Sequence, residues 1–227
     1  MTADDFAAAF LDLGTVRAAL PILLSGLWRT LALAALAVPL GLAGGLALAL
    51  LSRARSRGVR LAAAAWTDVF RALPPLVLLV LLYAGLPFAG LDLGPWGSVA
   101  LAFFLNGGAY YGEILRAGLD AVPPGQAEAA RALGLSPARA LRLVLLPQAA
   151  RNVLPDLLSN TLEVVKLTSL ASVVALPELL FQARQAQAAT YNASPVVAAA
   201  LAYLVLLWPL VRLLSRLEHR SLGPAAR

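Results

Sequence analysis

Between Leu20 and Leu51 the chain carries a single charged residue, Arg29, and an apolar run of that length finds its natural solvent in lipid. A bilayer core about 30 Å thick takes roughly 20 apolar residues per helix, so the run reads as a membrane span long enough to tilt. Four more stretches follow, bounded by charge, Gly or Pro: about Leu61 to Leu86, Val99 to Leu119, Ala149 to Leu176 and Pro195 to Leu214. The second is interrupted by Arg71 and by Pro74-Pro75, which is predicted to break or kink it. The fourth carries Asp156, Glu163 and Lys166. With 60% hydrophobic and only 13% charged residues, the chain lacks the polar surface that a soluble domain of 227 residues needs. The expected fold is all-α and integral to the membrane, with about five transmembrane helices in a single transmembrane domain, 1–227. No internal repeat or second domain is visible.

Charge then sets the orientation. With five spans the termini lie on opposite sides, and placing the C-terminus inside gathers 13 of the 18 basic residues in the cytoplasm. These are Arg53, Arg55, Arg57 and Arg60, then Arg116, Arg131, Arg139, Arg142 and Arg151, then Arg212, Arg216, Arg220 and Arg227. Only Arg17 and Arg184 fall outside. Because the arginines are scattered between apolar runs, the net charge of +6 is a topology signal and gives no face for nucleic acid. Asp4 and Asp5 stand where a signal peptide needs positive charge, so the first span is expected to remain in the mature protein. The chain has no cysteine, and its one histidine, His219, lies in a charged tail without a histidine partner; no metal site is expected.

The longest interruption, about 121–149, holds the most specific pattern. Pro123 and Pro124 stop the third span, Gln126 to Leu133 carries strong helix formers, and Gly134 is placed to cap that helix. Ser136 and Pro137 then suit the N-cap and first turn of another short helix. Ala129, Ala130 and Leu133 are expected to form a small apolar patch beside Glu128 and Arg131, a flat face suited to docking into a groove of another protein. For an arbitrary loop, a helix resting on its own bundle is the commoner outcome.

Glu128-Ala129-Ala130, three residues, Gly134, nine residues and then Val144-Leu145-Leu146-Pro147 resembles the EAA loop of ATP-binding-cassette (ABC) importer permeases, with Val144 where isoleucine is commoner. Phe70-Arg71-Ala72-Leu73-Pro74-Pro75-Leu76, Tyr83-Ala84-Gly85-Leu86-Pro87 and Tyr111-Gly112-Glu113-Ile114-Leu115-Arg116 extend the resemblance. So do Leu146-Pro147-Gln148-Ala149, Lys166-Leu167-Thr168-Ser169-Leu170 and Leu217-Glu218-His219-Arg220. Together they resemble the polar amino acid branch, similar to histidine and glutamine permeases. Ala72 and Leu73 replace the usual Gly-Thr, Leu167 replaces a commonly polar or acidic residue and weakly disfavours a cationic substrate, and the acidic residue often found early in the last span is missing near Ser194.

The resemblance implies a type I importer permease bundle in the bacterial cytoplasmic membrane. It implies that Gln126, Glu128, Ala129, Ala130, Leu133 and Gly134 couple to a separate ATPase subunit. It further implies a second permease subunit, identical or paralogous, an extracytoplasmic solute-binding protein and an amino acid substrate. The chain contains no GxxxxGK[ST] phosphate loop, and its only lysine, Lys166, follows Val164-Val165. ATP and magnesium are therefore expected on the partner, with no cofactor and no catalysis on this chain.

Charged groups inside a span cost about 2.5 to 3.5 kcal/mol on insertion scales and tend to face cavities or partners. Glu163 and Lys166, at i and i+3, either hold the bundle together as a pair or meet the ammonium and carboxylate of a zwitterion. Arg71, just before the Pro-Pro break, either faces the path or snorkels to the interface. Asn106, Tyr110 and Glu113 share a helix face that must meet protein or water, and either bind helices together or face the path; Asn106 and Glu113, with Thr168 and Ser169, complete the candidate path. The rival readings are an importer permease for another small solute and a gradient-driven carrier using Glu163 and Lys166 as its ion site, which leaves the EAA loop unexplained. No nucleophile or paired-aspartate constellation supports a membrane enzyme.

Overall fold

The computed structural model describes residues 2–221 and is helical throughout, with no strand among the described residues. The helices are α1 (Ala3–Phe10), α2 (Leu13–Leu51), α3 (Arg57–Ala72), α4 (Pro75–Val80), α5 (Gly94–Asp120), α6 (Pro124–Ala132), α7 (Pro137–Ala140), α8 (Leu146–Asn152), α9 (Leu154–Leu167), α10 (Leu179–Thr190) and α11 (Ser194–Ser221). Short π and 3-10 turns follow α4, α7 and α9. The side chains of 217–221 and residues 222–227 lie outside the described residues, and with them the closing Leu217-Glu218-His219-Arg220 segment and Arg227.

Three helical stretches are long and apolar enough to cross a membrane: Asp4–Leu51, Leu154–Val174 and Ser194–Arg216. The pair Arg57–Ala72 and Pro75–Ala89, bent by 100° where Pro74-Pro75 was expected to break it, counts as a fourth when taken as one span. The expected count of five is met only to this extent. Where the third span was expected stands α5, whose 27 residues are ample in length, but Asn106, Glu113, Arg116 and its glycines leave it outside the helices apolar enough to cross. The fourth span begins later than expected, at Leu154 and not Ala149, because the backbone turns at Val153 ahead of Pro155.

The chain divides into two compact units, Met1–Val38 with Pro75–Ala102 and Leu162–Arg227, and Pro39–Pro74 with Phe103–Thr161. In the first unit, Ala19 and Leu23 of α2 pack with Leu179, Ala183 and Ala186 of α10 and Ala199 of α11. Glu178 caps α10 from a fully buried position, accepting from the amides of Leu180 at 2.9 Å and Phe181 at 2.7 Å and from the Tyr203 hydroxyl at 3.0 Å. Thr30 of α2, also fully buried, accepts the Leu179 amide at 3.1 Å. These bonds leave the buried polar groups of the turn partnered, as burial requires.

In the second unit α2 and α5 cross on a seam of glycines. A Cβ on Gly45 would lie 2.5 Å from Tyr111 Cβ and 2.7 Å from the Gly112 amide nitrogen, so the backbones touch where only glycine fits. Tyr111 is fully buried there, its hydroxyl 2.8 Å from that of Thr161 on α9. Below the seam Ala49, Leu115, Leu119, Val122 and Ala149 form an apolar cluster, joined by Leu141, Leu145, Leu146 and Leu157. The segment after α7 is thereby anchored on α2 and α5.

Candidate functional site

The loop between α5 and α8 has the two-helix form expected of it. Pro123 occupies the N-cap of α6 and Pro124 its first turn, where a missing amide hydrogen costs nothing. At the other end Gly134 adopts φ +78°, its amide donating to the Arg131 carbonyl at 2.9 Å while the Leu135 amide donates to Ala130 at 3.1 Å. Ser136 has the extended N-cap backbone of α7, but its hydroxyl makes no capping bond, which departs from expectation. Gln126 accepts from Gln148 at 3.2 Å, and Gln148 also donates to the Val144 carbonyl at 2.9 Å. Gln126 thus ties α6 to α8 within this chain.

The apolar patch is smaller than expected. Ala130 is buried, at 3% exposure, whereas Leu133 is 82% exposed and Glu128 and Ala129 are also open. A helix resting on its own bundle has to place one stripe inward, and Ala130 occupies that stripe. Ala129 and Leu133, at i and i+4, remain as the outward face. Leu133 thus stays bare at the end of a helix held at both termini, outside the membrane-crossing segments.

The candidate path residues fall in both compact units: Arg71, Asn106 and Glu113 in the second, Glu163, Lys166, Thr168 and Ser169 in the first. Asn106, buried, donates to the Phe70 carbonyl at 2.7 Å, and Tyr110 donates to the Arg71 carbonyl at 3.4 Å. They cover carbonyls at the end of α3 that the Pro74-Pro75 break leaves without helical partners. Arg71 lies over the Tyr110 ring, 5.5 Å from its centroid. Glu113 receives two bonds from Arg116, at 2.6 and 3.0 Å, and Arg116 also reaches Asp120, which pairs with Arg53 at 2.7 Å. Arg71 and Glu113 both line a charged cleft of about 520 Å³.

On α9, Glu163 and Lys166 form an ion pair, both about half exposed. Thr168 is fully buried, its hydroxyl donating to the Val165 carbonyl at 2.6 Å, so it offers nothing to a solute from this chain. Ser169 donates to the Lys166 carbonyl at 2.8 Å. The sequence assigns no role to Glu178, Thr30 or Thr161, and offers Tyr111 only within the Tyr111–Arg116 segment of the resemblance. Each acts through a partner far along the chain. The one local signal was Glu178 itself, three residues before Phe181 at a helix start.

Helices long and apolar enough to cross a membrane, joined by a two-helix loop outside them, suit the membrane component of a transport system. The chain belongs to the family of binding-protein-dependent transport system inner membrane components, whose model it matches over residues 37–222; it is a multi-pass protein of that membrane. The arginine transport system permease protein ArtQ of Bacillus subtilis is 35% identical over 86% of this chain and 90% of its own length. The L-cystine transport system permease protein TcyB of the same organism is 33% identical over 88% of this chain and 84% of its own. A putative glutamine transport system permease protein, GlnP of Rickettsia bellii, is 33% identical over 88% and 92%. Among solved structures, an amino acid ABC transporter chain, crystallised with histidines, superposes with a TM-score of 0.78 at 38% identity, covering 88% of this chain and 94% of that one. A chain of the MetNI methionine ABC transporter in its inward-facing conformation shares the fold, with a TM-score of 0.71 at 20% identity.

Proposed function

We propose that the chain is one of two permease subunits that line the path of an ATP-driven importer for polar amino acids, and that α6 is the element through which the ATPase subunits move it. The carrying observation is the build of α6: proline at its start, left-handed Gly134 at its end, Gln126 tied to Gln148, and Glu128, Ala129 and Leu133 facing out. A force applied to that face passes into the apolar cluster of Ala49, Leu115 and Leu119 without first bending a loose loop.

ATP and magnesium are held by the ATPase in this reading, and an extracytoplasmic solute-binding protein delivers the substrate. Arginine, glutamine and cystine, the substrates in the relatives' names, all present an α-ammonium and an α-carboxylate. Glu163 and Lys166 supply one charge of each sign to match them. Membership of the family removes the main support for a gradient-driven carrier.

Because the chain lacks cysteine, Ala129→Cys places one thiol on the docking face. In the assembled complex it crosslinks to the ATPase subunit, while Ala130→Cys, on the buried stripe, does not. Absence of the Ala129→Cys crosslink, or solute uptake by the permease reconstituted without an ATPase, defeats the reading.

A further inference from the structure

Two concavities of the second unit share wall residues, Leu48 of α2 and Ala63 of α3. One is the charged cleft, edged by Arg57, Arg60, Asp68, Arg71, Glu113 and Arg116. The other is a groove of about 370 Å³, walled by Ala47, Leu51, Val59, Ala62, Trp66 and Phe104, with no charged side chain in its lining. A water-loving end and an oily end therefore adjoin, separated only by the thickness of α3.

The charges of the cleft do not cancel. Arg116 is engaged by Glu113 and Asp120, and Asp120 also by Arg53. Arg57, Arg60 and Arg71 make no ion pair among the described residues, and the only carboxylate of the lining left without one is Asp68. Three guanidiniums without an ion pair thus stand against one such carboxylate among the described residues. Arg60 is held at the mouth by bonds of 3.0 Å from Nη1 to the Ala54 and Arg55 carbonyls, which leaves its other nitrogens available. An amino acid in the cleft would leave the groove empty, and an alkyl chain in the groove would leave the arginines unmatched. A molecule with an anionic head and a long apolar tail satisfies both, and the arginine bias of the sequence puts this end of α3 at the cytoplasmic leaflet, where such molecules are the solvent.

We propose that the cleft and groove bind an anionic phospholipid, its phosphate against Arg57 and Arg60 and an acyl chain along Trp66 and Phe104. The site is distinct from the outward face of α6 and does not depend on which solute is carried.

Native mass spectrometry of the assembled complex, titrated with phosphatidylglycerol and phosphatidylcholine, reads the binding directly. The unaltered complex retains phosphatidylglycerol in preference. Each basic side chain near an anionic surface is worth about a fivefold preference, so Arg57→Gln with Arg60→Gln lowers it at least about tenfold. Both residues are exposed, and an unchanged melting temperature of the double variant confirms that folding is intact. Ala62→Trp fills the groove and weakens retention of long-chain phosphatidylglycerol, but not of its dihexanoyl form, and millimolar inorganic phosphate displaces neither. Equal retention of the two lipids by the unaltered complex overturns the proposal, as does an unchanged preference in the double arginine variant. It is also overturned if Ala62→Cys crosslinks to a second copy of the chain, or if the double variant loses uptake in phosphatidylcholine vesicles while its lipid retention is unaltered.

Discussion

Gly45 and Gly134 are indispensable for opposite reasons, and substitution by alanine separates them. At Gly45 the backbone is ordinary helix, but a Cβ would lie 2.5 Å from Tyr111 Cβ; at Gly134 nothing lies within 4 Å, but φ is +78°. Gly45→Ala forces α2 and α5 apart and costs about 1–3 kcal/mol by overpacking, read as a lower melting temperature of the purified complex. Gly134→Ala costs about 1–2 kcal/mol of left-handed strain confined to the end of α6, so it weakens ATPase co-purification while leaving the melting temperature of the bundle nearly unchanged. The reverse pattern would mean that the two sites have been misread. Gly134 was legible in the sequence because a cap is a local signal, a glycine after the last helical residue. Gly45 was not, because small residues four apart recur in any apolar span, and its partners Tyr111 and Gly112 lie more than sixty residues away.

At the scale of elements, a broken span exposes the last carbonyls of its first half, and the molecule must find donors for them. The Pro74-Pro75 break was readable from proline chemistry alone. The donors were not, since they come from α5. The polar face of Asn106, Tyr110 and Glu113 was open to two readings, lining the path or binding helices together, and its bonds are of the second kind: two of the three bond to the α3 backbone and the third to Arg116. Asn106→Leu therefore leaves the Phe70 carbonyl buried without a partner, at a cost of about 1–3 kcal/mol. The loss appears as reduced thermal stability and yield, with the apparent KM for uptake unchanged in the fraction that assembles. A raised KM at normal stability would instead return Asn106 to the path. Span recognition follows the same division. α11, apolar from Pro195 to Val211, was plain, whereas α5 has the length of a span but not the composition of one.

For the molecule as a whole, the exposed ion pair of α9 poses the sharpest question, because Glu163 and Lys166 lie in a membrane-crossing stretch and are each about half exposed on this chain. Charges at that depth need water or another protein beside them, so α9 faces either the solute path or a second permease subunit. Single and paired neutralisations tell these apart. Lys166→Met alone, or Glu163→Gln alone, strands a charge at a cost of about 2.5 to 3.5 kcal/mol, and either change lowers assembly or uptake in both cases. When the two are combined, no stranded charge remains. A pair that only holds helices together is then replaced by neutral packing, and assembly and transport both recover. A pair that receives a zwitterion leaves a complex that assembles, hydrolyses ATP and carries no amino acid. Uptake by the double variant in proteoliposomes, measured beside its ATPase activity, is the deciding reading, and the solute assignment predicts hydrolysis without transport.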